Sequence, residues 1–481
     1  MFLTLEDIAR ACGGEIIAGD AAAYLGGGRP GGLAIDSRDL RPGDWFIALR
    51  GKEGRDGHAY LENAVRSGAA GVIVSDRAAY DALVKAVGSQ VPALLVPDTT
   101  QALADMARAL LVKLAPFVIA ITGTVGKTSV KESIAHITST RWPTLRNPHN
   151  WNTEIGLPLT VFDLTPEHRV AVLECASRGI GQIHDLSMIA RPDLAVITAI
   201  GPGHLSEFGS VDTVAAAKWE IVDGLKSDGT VIAPGGSQYT KTYGSKYRLI
   251  TFGMEKLSDV HAVEVRYGET STDITIATPR SVFDASIPGT TEGHVLNALC
   301  AVAACLEVRI PGDSGTETLT IDDIRTALSA LPGIEGRFES IVRASGVEVI
   351  FDAYNSNPLS LKNALDAFAR RTKLTDGSPV VRRVAIQGDM LELGSEEERY
   401  HRDAGHLAGV LPIDCLITVG RLSEHLRKAA EDARGKAIPG AHFPSTESLA
   451  GEMRHLVKPG DLVLMKASRL IALEKLLEGG W

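Results

Sequence analysis

The run Gly123-Thr124-Val125-Gly126-Lys127-Thr128-Ser129 has the residue types and spacing that point most directly to chemistry. It follows an apolar stretch (117–122) that reads as a strand and precedes a helical pattern. Backbone N–H groups of such a loop, with the positive end of the next helix, cradle polyphosphate oxygens. Lys127 would reach the β- and γ-phosphates, and Thr128 would place its hydroxyl on Mg2+. Only Thr124 and Val125 separate the two glycines, so the loop is shorter than the general P-loop pattern. A strand–helix turn carrying Gly-Lys-Thr by chance is the alternative, and the strand–loop–helix setting weighs against it. Two further groups stand at the ends of apolar runs. Glu174 closes VAVLE, and His204 lies in a Gly-Pro-Gly-His loop after LAVITAI. Both therefore sit where doubly wound sheets place ligands. Oxygen ligands suit Mg2+, and histidine is the softer partner. A lone strand-end glutamate is commonly just solvated. A Cys175–His204 nucleophile pair is conceivable, although Cys175 reads more simply as a small buried residue.

These groups need a scaffold, and the hydrophobic pattern supplies one. Residues 1–113 alternate short apolar runs (44–49 and 71–74) with a helical pattern at 59–67, which predicts a small α/β domain. A second domain, 114–332, carries strand candidates at 117–122, 170–174 and 194–198 with helices between them. Such alternation implies a mostly parallel sheet covered on both faces. Residues 260–288 read as extended strands and 293–307 as a buried, Ala-rich helix. A Pro/Gly-rich break at 331–337 is a plausible hinge. Beyond it, 333–481 alternates strand candidates (347–352, 384–387, 415–419 and 462–465) with helices, a third α/β unit of Rossmann-like character. No solenoid-type repeat or low-complexity tract interrupts the pattern.

Composition excludes several classes. With 481 residues, 44% hydrophobic and 22% charged, the chain is of ordinary globular type and long enough for about three domains. A formal net charge of −10 argues against a nucleic-acid partner. No apolar run is long enough for a membrane span, and no signal peptide is evident. Five scattered cysteines fit a reducing cytoplasm better than a disulfide framework.

The shortened GT-x-GKT-S loop resembles that of the Mur ligase family, with Val125 where Asn or Ser is usual. The resemblance continues along nearly the whole chain. Asp36-Ser37-Arg38, with Arg41 to Leu49 after it, is similar to the family's UDP-binding domain, which implies substrate contacts for Ser37 and Arg38; a salt-bridged surface turn is the alternative. Asn150-Trp151-Asn152-Thr153 resembles the loop after the P-loop helix, implying substrate contacts for Asn150, Asn152 and Thr153, with turn or cap duty as the alternative. The family's strand-end Glu and His help hold metal ions, which assigns Glu174 and His204 beside Thr128. Lys218 in Ala-Ala-Ala-Lys-Trp-Glu matches a lysine that the family carbamylates to make an anionic ligand for a second Mg2+; a snorkelling lysine is the alternative. Asn297 resembles an adenine-contacting residue, with His294 where Asn is usual. Arg337 after the hinge would reach the ATP phosphates. Asp352-Ala353-Tyr354-Asn355-Ser356-Asn357-Pro358 is similar to a signature whose Asp and Asn contact the nucleotide. Gly388-Asp389-Met390-Leu391-Glu392-Leu393-Gly394, followed by His401, resembles the branch that adds D-alanyl-D-alanine, implying substrate contacts for Asp389 and Met390. Lys466-Ala467-Ser468-Arg469 resembles a K-G-S-R turn, with Ala467 in place of Gly.

The resemblance implies a three-domain α/β fold. A small N-terminal domain would bind the UDP substrate, a central P-loop domain with a parallel sheet would bind ATP, and a C-terminal Rossmann-like domain would bring the amine. It implies an ATP-dependent ligase that joins D-alanyl-D-alanine to a UDP-MurNAc-tripeptide, with ATP and two Mg2+ ions as cofactors, catalytic roles for Lys127, Glu174, His204 and Lys218, and a cytoplasmic monomer. A Mur-fold ligase for another acid and amine, in natural-product, pseudomurein or tetrapyrrole chemistry, is the alternative enzyme. A nucleotide-binding scaffold without activity is the other reading.

Overall fold

The computed structural model describes residues 2–19, 32–51, 54, 56–479 and 481. Among the described residues three large sheets follow one another along the chain, with a two-stranded ribbon (Ile310–Gly312 and Gly315–Glu317) before the last, giving a three-domain α/β architecture. The N-terminal sheet has five strands, ordered Glu15–Ala18, Ala93–Leu95, Gly71–Val74, Trp45–Ile47 and Leu33–Ala34. Its first strand runs antiparallel to its neighbour and the rest pair in parallel.

The central sheet has nine strands. Their order is Val282–Pro288, Ser271–Ala277, Val260–Tyr267, Arg248–Gly253, Thr230–Pro234, Leu194–Ile197, Phe117–Thr122, Val170–Glu174 and Thr144–Arg146. Two kinds of sequence make it. The strands FVIAIT, VAVLE and LAVI are apolar but for the closing Thr122 and Glu174, and buried almost completely, as parallel strands covered on both faces must be. The strand STDITIA instead alternates exposed with buried residues, and it pairs antiparallel with both of its neighbours. The sheet therefore changes from parallel to antiparallel beyond Val260. Thr230–Pro234 and Arg248–Gly253 complete the parallel part; the sequence pattern did not single them out, because one ends in proline and the other is half-exposed at its start.

Helices cover both faces. Lys127–Ser139 and Glu292–Cys305 pack on one, through Val130, Ile134, Leu299 and Val302. Thr99–Leu114 and Gln182–Ala190 pack on the other, where Leu103, Met106 and Leu110 join one core that also contains Leu5, Ile8, Leu157 and Leu173. The N-terminal unit is thus seated on the central one through a single shared helix. At about 25 cal/mol per Å2, burial of each of those leucines contributes roughly 1.5–3 kcal/mol to folding of this shared core.

The C-terminal sheet has six strands, ordered Glu339–Val342, Glu348–Phe351, Asp461–Lys466, Arg382–Gly388, Cys415–Val419 and His442–Phe443, all parallel but the first. The Pro/Gly-rich stretch 331–338 that leads into it has neither helix nor strand, with Gly336 and Phe338 at φ +69° and +53°. The C-terminal ends of the parallel strands in the central and C-terminal sheets face a common cleft.

Candidate active site at the interdomain cleft

The phosphate loop owes its shape to two glycines. Gly123 has φ +148°, and a Cβ there would meet the Thr198 hydroxyl at 2.2 Å; Gly126 has φ +86°, and a Cβ would meet Asn297 Oδ1 at 2.5 Å. Both positions need positive φ and a bare α-carbon, which only glycine combines without strain. Thr198 ties the loop down by donating to the Val125 carbonyl at 2.5 Å. Val125 is thus held through its backbone, which explains why the loop tolerates valine where a polar side chain is usual. Helix Lys127–Ser139 starts at Gly126 with no side-chain cap, leaving its first N–H groups available for an anion.

Lys127 is half-buried. Its ammonium donates to the Gly123 and Thr124 carbonyls at 2.8 and 3.4 Å, and desolvation pushes its pKa down, with the Arg337 charge adding to the effect and Glu174 opposing it. Desolvation outweighs the opposing charge of Glu174, an environment that an anionic ligand would relieve. Arg337 crosses from the C-terminal domain, donates to Thr128 Oγ1 at 3.2 Å and stacks on the Tyr354 ring at 4.5 Å.

Glu174 is 2% exposed and fully engaged. Its Oε2 accepts from Thr128 Oγ1 at 2.9 Å and its Oε1 from Asn152 Nδ2 at 2.9 Å. Buried Asn147 fixes the backbone beneath it: Glu174 N donates to Asn147 Oδ1 at 2.7 Å, and Asn147 Nδ2 donates to the Glu174 and Trp151 carbonyls at 3.0 and 2.8 Å. Lys131, with no exposed surface, donates to the Asn147 carbonyl at 2.7 Å. Sequence reasoning missed Asn147, Lys131 and Thr198. The one available signal was the polar Asn147 immediately after the strand Thr144–Arg146, an unusual residue to bury at a strand end.

Lys218 sits one layer behind the cleft wall. It is 2% exposed and donates to Ser177 Oγ at 2.8 Å and, more weakly, to the Ser177 carbonyl at 3.4 Å. Burial first, then the charge of Lys127, push its pKa down to about 7, against the pull of Glu220. His204 lines the cleft at φ +52° and places Nδ1 2.5 Å from Glu392 Oε2. Burial lowers its pKa while Glu392 opposes the shift. Cys175 is excluded as a nucleophile, because complete burial pushes its thiol up to about 12.

The cleft has a volume of about 530 Å3. It brings together residues 124–129, Asn150, Asn152, Thr153, Glu174, His204, Asn297, Arg337, Asp352 and Asn355, all of them candidates from the sequence. Asp352 also accepts from the buried Lys466 at 2.7 Å, and Lys466 reaches the Asn355 carbonyl at 3.2 Å. His294 closes the start of helix Glu292–Cys305 in a reciprocal cap with Thr291 and meets Phe338 edge-on at 5.9 Å. Ala467 fits because Gly388 faces it; a Cβ on Gly388 would lie 2.6 Å from that of Ala467.

Four candidates stand elsewhere. Ser37 is buried in the N-terminal domain and accepts from Asn63 at 3.0 Å. Arg38 extends into solvent, 85% exposed, paired with Asp36, whose carboxyl it holds down at about 2. Asp389 and Met390 do not line the cleft. Asp389 is 5% exposed, and its Oδ1 accepts from Leu422 N and Ser423 N at 3.0 and 2.7 Å, capping helix Ser423–Arg434 from a neighbouring strand. Met390 is fully buried, and its N–H donates to His401 Nε2 at 2.9 Å. His401 Nδ1 faces the Glu397 carbonyl at 2.6 Å, which requires the Nδ1–H tautomer and a neutral ring. Asp389 and Met390 are thus spent on the architecture of the C-terminal domain. Asp389→Ala will therefore cost about 2–4 kcal/mol of stability by stranding two buried N–H groups. Asp389→Asn, which keeps an acceptor, will cost much less. Urea unfolding checks this, and the nucleotide KM of the folded Ala variant should stay near the parent value; a raised KM with unchanged stability would return Asp389 to the binding site.

Comparison with known proteins agrees with this architecture. Three family models match in chain order: the Mur ligase family catalytic domain at residues 31–110, the Mur ligase middle domain at 121–305 and the Mur ligase glutamate ligase domain at 336–469. The UDP-N-acetylmuramoyl-tripeptide--D-alanyl-D-alanine ligase of Bacillus subtilis is 34% identical over 93% of this chain and 92% of its own. The protein of that name from Escherichia coli is 30% identical over 92% of each. Among solved structures, MurF from Acinetobacter baumannii superposes with a TM-score of 0.84 at 27% identity, covering 99% of this chain and 98% of its own. MurF ligase from Thermotoga maritima, solved in complex with ADP, gives 0.78 at 28% identity over 93% and 96%. With all three domains matched in order and relatives aligned over nine-tenths of their length, the chain belongs to the Mur ligase family.

Proposed function

We infer that the protein is an ATP-dependent ligase that joins D-alanyl-D-alanine to the peptide of a UDP-MurNAc-tripeptide, a step of peptidoglycan precursor synthesis. One observation carries the reading: relatives of that name match over nine-tenths of both chains, and the matched region includes a phosphate loop whose glycines cannot be replaced without a clash. Division of the chain at about residues 113 and 332 assigns UDP-substrate binding, ATP binding and amine binding to successive units. No helix among the described residues is long and apolar enough to cross a membrane, which suits cytoplasmic work on a nucleotide-linked precursor.

The reaction has two stages. The terminal carboxylate of the tripeptide attacks the γ-phosphorus of ATP, the bond to the β-bridging oxygen breaks, and ADP leaves an acyl phosphate. The amine of the dipeptide then attacks the acyl carbon, the amide forms, inorganic phosphate departs, and the nitrogen loses a proton. The protein's work is positioning and charge neutralisation. Lys127 and the first N–H groups of its helix hold the β- and γ-phosphates, Arg337 reaches the same phosphates from the C-terminal domain, and Asn297, Asp352 and Asn355 orient the nucleoside. Asn150, Asn152 and Thr153 take the substrate side of the cleft, and Ser37 and Arg38 the UDP end.

The donor set fits Mg2+. No group of three or more His, Cys, Asp or Glu that could hold a metal occurs among the described residues, but Mg2+ needs only one or two protein ligands when substrate phosphates supply the rest. Glu174, Thr128 and His204 would hold it, and the ion would neutralise charge on the transferring phosphoryl group. A second Mg2+ requires another anion, which a carbamylated Lys218 supplies. Phosphate release from ATP and Mg2+ with UDP-MurNAc-tripeptide, with and without D-alanyl-D-alanine, is the decisive assay. Release that needs both, and a product heavier by the dipeptide, is expected. Silence with this pair but release with another acid and amine would overturn the substrate assignment.

A further inference from the structure

Several contacts hold the C-terminal domain against the central one: Arg337 reaches Thr128, Arg370 donates to the Thr290 carbonyl at 2.8 Å, and two carboxylates add to them. One is a plain clasp: Glu269, in the turn between Val260–Tyr267 and Ser271–Ala277, accepts from Thr372 N at 3.0 Å, Lys373 N at 3.2 Å and Thr372 Oγ1 at 2.5 Å. The other is built differently. Glu392 brings its carboxylate to His204 Nδ1 at 2.5 Å and lies 4.0 Å from Arg178, while its carbonyl accepts from Ser206 N at 3.2 Å.

Stability alone does not explain the second contact. His204 and Glu392 have side chains 28% and 40% exposed, and ion pairs that open to water contribute little. Both residues have positive φ, +52° and +63°, although neither is glycine. Two such conformations cost of the order of 1–3 kcal/mol each and persist where something other than stability selects them. The contact they frame reaches a histidine that lines the cleft shared with Glu174 and Thr128. Nδ1 stands 2.5 Å from that carboxylate as a charge contact without hydrogen-bond alignment; a carboxylate there favours the proton on Nδ1 and leaves the Nε2 lone pair for a Lewis acid.

The geometry points to Glu392 as a positioning residue supplied by the C-terminal domain, which sets the His204 ring to receive a divalent cation only when the two domains are docked. Domain docking and assembly of the metal site become one event. The metal site would then be incomplete in an open molecule, so ATP with its cation would meet a competent histidine only in the closed cleft. The inference rests on the metal reading given above, and the experiment separates the two.

The probe is Mn2+, titrated by the electron paramagnetic resonance signal of the free ion, on the full chain with a non-hydrolysable ATP analogue. Wild type, Glu392→Gln and Glu269→Gln are compared, with the analogue alone as baseline and thermal midpoints to confirm that each variant is folded. Wild type will bind Mn2+ more tightly than the analogue alone. Glu392→Gln will weaken that binding about 10–100-fold and raise the Mg2+ concentration for half-maximal turnover by a similar factor, while Glu269→Gln, with Arg337 and Arg370 still holding the domains docked, leaves the Mn2+ affinity near wild type. Wild-type binding no tighter than the analogue's overturns the metal reading and this proposal with it. Tight wild-type binding that Glu392→Gln leaves intact, or that Glu269→Gln weakens equally, overturns this proposal alone and reduces Glu392 to a domain contact.

Discussion

Lys127→Met will lower kcat/KM for ATP by about 10^3-fold, roughly 4 kcal/mol of transition-state stabilisation, while the protein stays folded. Lys127 is half-buried with its ammonium on two carbonyls of its own loop, and desolvation depresses its pKa without a full counter-charge to offset it. A cation held in that state has one evident use, the neutralisation of a polyanion that enters the loop. Methionine fills the same space but cannot neutralise anything. The Gly123 and Thr124 carbonyls lose a donor, which costs about 1 kcal/mol each, and removal of the desolvated charge offsets part of that. The thermal midpoint should therefore move by only a few degrees. Calorimetry on the nucleotide-free protein and single-turnover phosphate release measure the two effects separately. A variant that keeps more than a tenth of wild-type kcat/KM would remove Lys127 from the reaction.

The sequence told most about residues whose role follows from local geometry. Gly123, Gly126 and Lys127 were legible because strand, loop and helix are contiguous, and the strand Phe117–Thr122 lies where its apolar run placed it. Glu174 and His204 were legible as ends of apolar runs, and the parallel topology then carried both to one cleft. What stayed hidden depends on contacts between distant residues. Arg337 meets Thr128 across 209 positions, and Asn147 braces Glu174 across 27. Neither pairing leaves a periodic trace. Asp389 and Met390 show the opposite error. Two residues of a distinctive run were read as ligand contacts, whereas they are demanded by a helix start and a buried histidine some 10 to 35 positions away. A run that matches a subfamily identifies the subfamily without saying which atoms touch the substrate.

Lys218→Ala will lose turnover by about 10^2–10^3-fold, and short carboxylates such as acetate will restore part of it. An ordinary lysine in this place would be a liability. Its ammonium is buried against Ser177 and 5.3 Å from the Phe208 ring, and its nearest charged influence after burial is another cation, Lys127. Those surroundings hold the pKa at about 7, so that near neutrality about half of the amine is unprotonated and nucleophilic. Attack of that neutral nitrogen on CO2 forms an N–C bond, releases one proton and leaves an anion with two oxygen donors. The sign of the pH dependence follows. An unfolded lysine keeps its proton to about 10.4, whereas the folded one gives it up near 7, so between those values the unfolded state binds more protons and stability rises with pH. In CO2-depleted buffer Lys218→Met will therefore be more stable than wild type, most clearly below pH 7, with the advantage shrinking toward pH 10. Activity should run the other way, lost in both variants, recovered by acetate only in the alanine one, where space is left for it, and not by chloride at equal ionic strength. Full activity in Lys218→Ala would exclude the carbamate, and loss of activity that no carboxylate restores would leave Lys218 a packing residue behind Ser177.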